Sequence, residues 1–173
     1  MIRKIYVSLC VFCTFFWFFV SSSYAAEPRK IGKFGDWTSY VLKESGGEVC
    51  YMVSKPVKAE GQYTNRGEIF ALITHRPAEN TKDVFSYITG YTYKQGSDAT
   101  VTIDGKSYML FTQDDTAWAP DAEADARLAE AIQKGSEMVV RGTSRFGTLT
   151  TDTYSLKGSS GAYRSISKEC GVR

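Results

Sequence analysis

The chain is poor in the residue types that make reactive centres. It holds one histidine, four cysteines and four prolines in 173 residues. With His75 as the sole imidazole, a nucleophile–histidine–orienter set could be built at only one place. No serine stands in a nucleophile-elbow pattern. Two cysteines, Cys10 and Cys13, fall in the first 25 residues, and Cys50, Cys170 and His75 lack metal-ligand spacing. No Lys/Arg-rich run marks a phosphate-binding stripe, which argues against nucleic acid. The glycine-rich stretches "GSSG" and "SGG" lack the Lys-Ser/Thr continuation of a phosphate loop and read as turns. No low-complexity linker or internal repeat divides the chain.

The one long apolar run lies at the start, in "MIRKIYVSLCVFCTFFWFFVSSSYAAEP". Arg3 and Lys4 precede an uncharged stretch from Ile5 to Val20, and Ser23-Tyr24-Ala25 supplies small residues where a signal peptidase reads. Residues 1–25 therefore read as a cleaved secretory signal peptide, with cleavage after Ala25. The rival reading is a retained anchor, but the run is shorter than the roughly 20 residues that span a bilayer. Neither Cys10 nor Cys13 follows a small residue, which argues against a lipid-modified terminus. The whole chain has 21 basic and 19 acidic residues. Arg3 and Lys4 make up the excess, so residues 26–173 are formally neutral. That segment has the size of one domain. In an exported protein its even pair, Cys50 and Cys170, is most simply one disulfide.

Residues 26–173 read as strands separated by turn chemistry. "DWTSYVLK" and "EVCYMVSK" flank "ESGG". "EIFALITHR" is apolar on both faces and ends before Pro77. "DVFSYITGYTYK" alternates, with Phe85, Tyr87, Thr89, Tyr91 and Tyr93 on one face. "ATVTI" and "KSYMLFTQ" enclose Asp104-Gly105, a two-residue hairpin turn. "SEMVVRGTS" and "GTLTTDTYSLKG" follow, joined through "SRFG". Between them and the earlier strands stands "APDAEADARLAEAIQKG", a helix with Pro120 at its first position and Lys134-Gly135 at its end. Ala124, Leu128, Ala131 and Ile132 form its apolar stripe. The tail reads as a short terminal helix carrying Cys170. About eight strands and one helix between the late strands predict a mainly β fold, an antiparallel sandwich or flattened barrel.

Each chemical candidate has a plainer reading beside it. His75, at a strand end, reads as a hydrogen-bonded structural residue before it reads as a base. Asp114, Asp115, Asp121, Glu123 and Asp125 lack the glycine and late glutamate of a calcium loop, and turn and helix-dipole roles explain them. No catalytic, metal or cofactor site is expected. Tyr87, Tyr91, Tyr93 and Trp118 are candidate contact residues, because tyrosine buries area and keeps a polar tip. The same tyrosines suit a half-buried sheet face. The stretch "KFGDWTSY" is either an exposed binding tip or a clasp that seats the first strand. Its place at a strand entry and the burial habit of Trp favour the clasp.

The ordered set "FGDW" (34–37), "VCYMVSKP" (49–56), "NRGEIFALITHRP" (65–77), "GYTYKQGSDATVTIDGKSYMLFTQDDTAW" (90–118) and "KGSEMVVRGTSRFGTLTTDTYSLKG" (134–158) resembles the invasion associated locus B family of exported bacterial proteins. The likeness covers nearly all of residues 33–170. That family is named for a member implicated in invasion of host red cells. The resemblance implies a periplasmic or envelope location and a β-rich fold, and it carries over no functional residue. Cys50 and Cys170 match positions that look paired in similar sequences. The combined expectation is a periplasmic or secreted, non-enzymatic protein that binds an envelope or host-surface partner. A small-molecule or glycan-binding module is the alternative, and a hydrolase ranks last.

Overall fold

The computed structural model of the chain describes residues 27–172. The signal segment, its cleavage point after Ala25, and Cys10 and Cys13 lie outside the described residues. In chain order the strands are β1 (Arg29–Phe34), β2 (Trp37–Glu44), β3 (Gly47–Ser54), β4 (Lys58–Gly61), β5 (Phe70–Arg76), β6 (Thr81–Ile88), β7 (Ala99–Ile103), β8 (Lys106–Gln113) and β9 (Thr116–Trp118). Helix α1 (Ala122–Lys134) follows, then β10 (Glu137–Thr143), β11 (Leu149–Ser155) and helix α2 (Ser159–Glu169).

All pairings are antiparallel, and the strands run in the order β1-β2-β3-β5-β6-β9-β8-β7-β10-β11-β4. Strand β8 belongs to both halves of this sheet. Its residues 106–110 pair with β7, and its residues 111–113 pair with β9. The sheet folds over there, because the rings of Tyr87 on β6 and Tyr154 on β11 meet edge to face at 6.3 Å. One apolar cluster, containing Trp37, Met52, Ile73 and Phe85 from one half and Val101, Leu110, Met138 and Tyr154 from the other, fills the space between. Burial of each such side chain contributes about 1.5–3 kcal/mol. The mainly β, antiparallel, folded-over architecture matches the expectation from sequence.

Eleven strands among the described residues replace the expected eight. The additions are β1, β4 and β9. Strand β6 ends at Ile88, so the alternation from Phe85 to Tyr93 continues past the strand. The tail is a full helix, with Cys170 at its C-terminal cap and bonded to Cys50. Pro120 stands before helix α1 and not at its first turn; Asp121 is the cap and accepts from the Ala124 backbone N–H at 2.8 Å. Gly135 ends α1 at φ −77°, not in the left-handed region. A side chain there would come within 2.6 Å of Ile103 Cγ2, so the glycine serves close packing.

The stretch "KFGDWTSY" closes the fold. Trp37 is fully buried, and its Nε1 donates to the Ser155 carbonyl at 3.1 Å. The Asp36 N–H donates to the Lys157 carbonyl at 3.0 Å. Gly158 sits at φ 92°, where a Cβ would lie 2.0 Å from the Phe34 carbonyl oxygen. Two chain segments more than 115 residues apart thus meet where only hydrogen occupies the Cβ position. The clasp reading describes this stretch.

Candidate functional site

Strand periodicity sends alternate residues to opposite faces of the sheet. On the first half, one face joins the core and the helices. Ser39 donates to the Ala162 carbonyl of α2, and Leu128, Ile132 and Ile166 share the central cluster. The opposite face is covered by neither helix. Its residues align across six strands. One row runs Thr38, Val53, Leu72, Ser86, Trp118 and Phe111, each directly opposite the next. A second runs Tyr40, Tyr51, Thr74 and Val84, and a third Phe70, Ile88, Thr116 and Gln113.

No residue in these three rows carries a charge. Tyr40 and Tyr51 stack at 5.3 Å, and Phe111 lies against Trp118 at 5.7 Å. Phe111 and the adjoining Met109 are exposed. Among the described residues charges stand at the margin of this face: Lys33 and Lys30 on the edge strand β1 lie opposite Thr38 and Tyr40, Lys55 lies over the Phe70 ring at 5.2 Å, and Arg76 pairs with Glu44 at 2.8 Å. A wide uncharged face with aromatic anchors and a charged rim has the make-up of a protein contact surface.

The expected tyrosine surface is placed differently. Tyr87 and Tyr93 are buried and face the core, Tyr91 is half-buried, and Trp118 lies on the outer face. A buried ion pair gives Tyr87 a polar partner inside, Tyr91 bonds Thr150, and the buried Tyr93 hydroxyl has no partner among the described residues. Arg66, in the segment between β4 and β5, forks onto Asp152 of β11. Its Nη1 donates to Oδ1 at 2.8 Å and its Nη2 to Oδ2 at 2.6 Å. The Tyr87 hydroxyl also donates to Asp152, and Arg66 Nε donates to the Thr89 carbonyl at 2.7 Å. The guanidinium lies over the rings of Tyr91 and Tyr63, at 5.0 and 5.4 Å. Burial, then the neighbouring Tyr154 and Asp152, hold the Tyr87 hydroxyl well above its ordinary pKa, so it stays a donor. Sequence reasoning gave Arg66 and Asp152 no role, since 86 residues separate them and no spacing pairs them.

His75 is fully buried, and Ser167 and Asp83 lie beside it. Its Nδ1 accepts the Asp83 backbone N–H at 3.1 Å. Nε2 therefore carries the proton and donates to Ser167 Oγ at 3.1 Å. A base that activates serine needs the opposite arrangement, with Nε2 free to accept. The Asp83 carboxylate is 3.9 Å from Nδ1 and is bonded instead by the Tyr163 hydroxyl. The group clips α2 to the sheet beside the disulfide. Three of the acids have structural partners as well: Asp125 accepts the Phe85 N–H at 2.8 Å, Asp121 caps α1, and Asp115 accepts the Thr116 hydroxyl at 2.9 Å. Among the described residues no cluster of His, Cys, Asp or Glu could hold a metal ion, and no helix is long and apolar enough to cross a membrane.

These features define a disulfide-clipped β domain that presents surfaces and clefts. The model of the family described as "Invasion associated locus B (IalB) protein" matches residues 37–167, most of the chain, and the protein belongs to that family. Among solved structures, the crystal structure of invasion associated protein B from Bartonella henselae is similar, with a TM-score of 0.56. The two share 15% identity over 82% of this chain and 97% of that one, a likeness of fold. No curated protein matches the sequence.

Proposed function

We propose that this protein is an exported, non-enzymatic binding protein of the bacterial envelope. It engages a protein partner through the uncharged outer face centred on Leu72 and Trp118. The observation that carries this reading is the six-strand row from Thr38 to Phe111, which bears no charge and is covered by neither helix. Helices cover the other face of the same strands, so leaving this one open and uncharged calls for an occupant. Export is supported by the signal-like first 25 residues and by the Cys50–Cys170 disulfide. The family name supports invasion of a host cell as a process that such a contact would serve. In this reading residues 1–25 are a cleaved signal peptide and residues 26–173 form a single domain.

The test is chemical crosslinking in intact cells that export the protein. Wild type gives a discrete adduct. Leu72→Lys and Trp118→Ser lose it, while Thr151→Lys, on the other half of the sheet, keeps it. An adduct unaffected by Leu72→Lys and Trp118→Ser would overturn the assignment of the face.

A further inference from the structure

A second surface, away from the uncharged face, has a different chemistry. The segment after β4 and the β10–β11 turn enclose a cleft of about 400 Å³. Its walls include Gln62, Tyr63 and Asn65 on one side and Phe146 and Thr148 on the other, with Tyr91 between them. No charged side chain lines it. Arg66 lies close by but is spent on Asp152, with its side chain only 4% exposed. Amides, hydroxyls and aromatic rings are what remains.

Both walls are fixed. Ser144 Oγ accepts the backbone N–H groups of Phe146 and Thr148, and the Ser144 N–H donates to the Thr148 carbonyl at 2.9 Å. The opposite wall is held by Arg66 and by the Gly67 N–H, which donates to the Gly90 carbonyl at 2.9 Å. Tyr91 bonds Thr150 at 2.7 Å. Fixed walls reduce the ordering cost of binding. Yet the turn exposes Phe146 by 82% and Leu149 by 73%, and Tyr63 is 38% exposed. Arg145 lies over the Phe146 ring at 4.6 Å and Arg66 over the Tyr63 ring at 5.4 Å. A ring has two faces, and each guanidinium takes only one.

We infer that this cleft binds a neutral carbohydrate. A pyranose offers a C–H face for an aromatic ring and a fringe of hydroxyls for amides and hydroxyls. Its lack of charge matches a lining without charge. An anionic ligand would find no cation in the lining, since Arg66 is neutralised by Asp152 and Arg145 lies on the Phe146 ring without lining the cleft. A purely apolar ligand would strand the amides of Gln62 and Asn65 without partners. This site is independent of the outer face and stands or falls separately from it.

The experiment is a glycan array carrying neutral and anionic oligosaccharides, followed by NMR titration of the labelled folded domain with the best binder. The expected result is a neutral oligosaccharide whose saturable shifts centre on residues 62–65, 91 and 144–150. Phe146→Ala should weaken it roughly tenfold, and so exposed a residue can be truncated without unfolding the domain. Leu72→Lys should leave the affinity unchanged. Binding only to anionic glycans, shifts elsewhere on the domain, or no neutral binder on the array would each overturn the inference. A short neutral peptide that filled the cleft in place of any sugar would do the same.

Discussion

Arg66 and Asp152 form a two-pronged ion pair with side chains only 4% and 1% exposed, although 86 residues separate them in sequence. The pair ties the segment after β4 to the far half of the sheet. It also sets the polarity of the interior, since Tyr87 and Thr89 bond to it. Removing one partner strands a buried charge. Arg66→Ala and Asp152→Ala should each cost about 3–5 kcal/mol. The double variant should cost less than the two singles summed. Chemical denaturation of the three variants measures this directly.

The disulfide between Cys50 and Cys170 closes a separation of 120 residues. Chain entropy sets its contribution at about 4–5 kcal/mol at most. Cys170→Ser should lower the melting temperature, and loss of protection should begin in α2, which the bond holds to β3. Hydrogen exchange followed by mass spectrometry reads both.

Gly158 and the Phe34 carbonyl leave no room for a side chain. Gly158→Ala combines that clash with a left-handed backbone and should destabilise by more than about 2 kcal/mol. The near-ultraviolet signal of Trp37, buried in the same clasp, should weaken with it. An unchanged melting temperature would contradict the clasp.

Two buried groups make stability depend on pH in opposite directions. Burial lowers the pKa of His75, with Asp83 opposing and Lys82 adding to the effect. As the pH falls below about 6.5, the unfolded chain takes up a proton that the folded chain refuses, so stability is lost. Burial pushes Asp125 up to about 6, against the bond from the Phe85 N–H. Between about pH 4 and 6 the folded chain keeps a proton that the unfolded chain releases, so stability is lost as pH rises. Asp125→Asn should therefore raise the melting temperature above pH 6 and lose that gain below pH 4. His75→Gln should flatten the decline below pH 6.5. Melting curves at pH 4, 5.5 and 7 separate the two.

Alternation and turn residues made most of the sheet legible. Asp104-Gly105 turns with φ of 45° and 86°, as a two-residue hairpin requires. The strands that escaped notice carry little pattern. Strand β4, "KAEG", is exposed throughout, β9 is three residues long, and β1 has a glycine and three basic residues. The tyrosine alternation is legible, but tyrosine suits both core and surface; Tyr87 finds its polar partner in the buried Asp152, which no local pattern marks. The uncharged face exists only in register: Thr38, Leu72 and Phe111 become neighbours when the strands pair. The same holds for the cleft, whose walls come from segments about 80 residues apart.

The outer face is tested most directly by a photoreactive side chain placed at Ser86, midway along the six-strand row, in cells that export the protein. The same group at Thr151 serves as the control. The result predicted is a partner adduct from position 86, absent from position 151 and abolished by Leu72→Lys. Equal labelling from both positions, or an adduct that survives Leu72→Lys, would contradict the proposal that this face is where the protein binds.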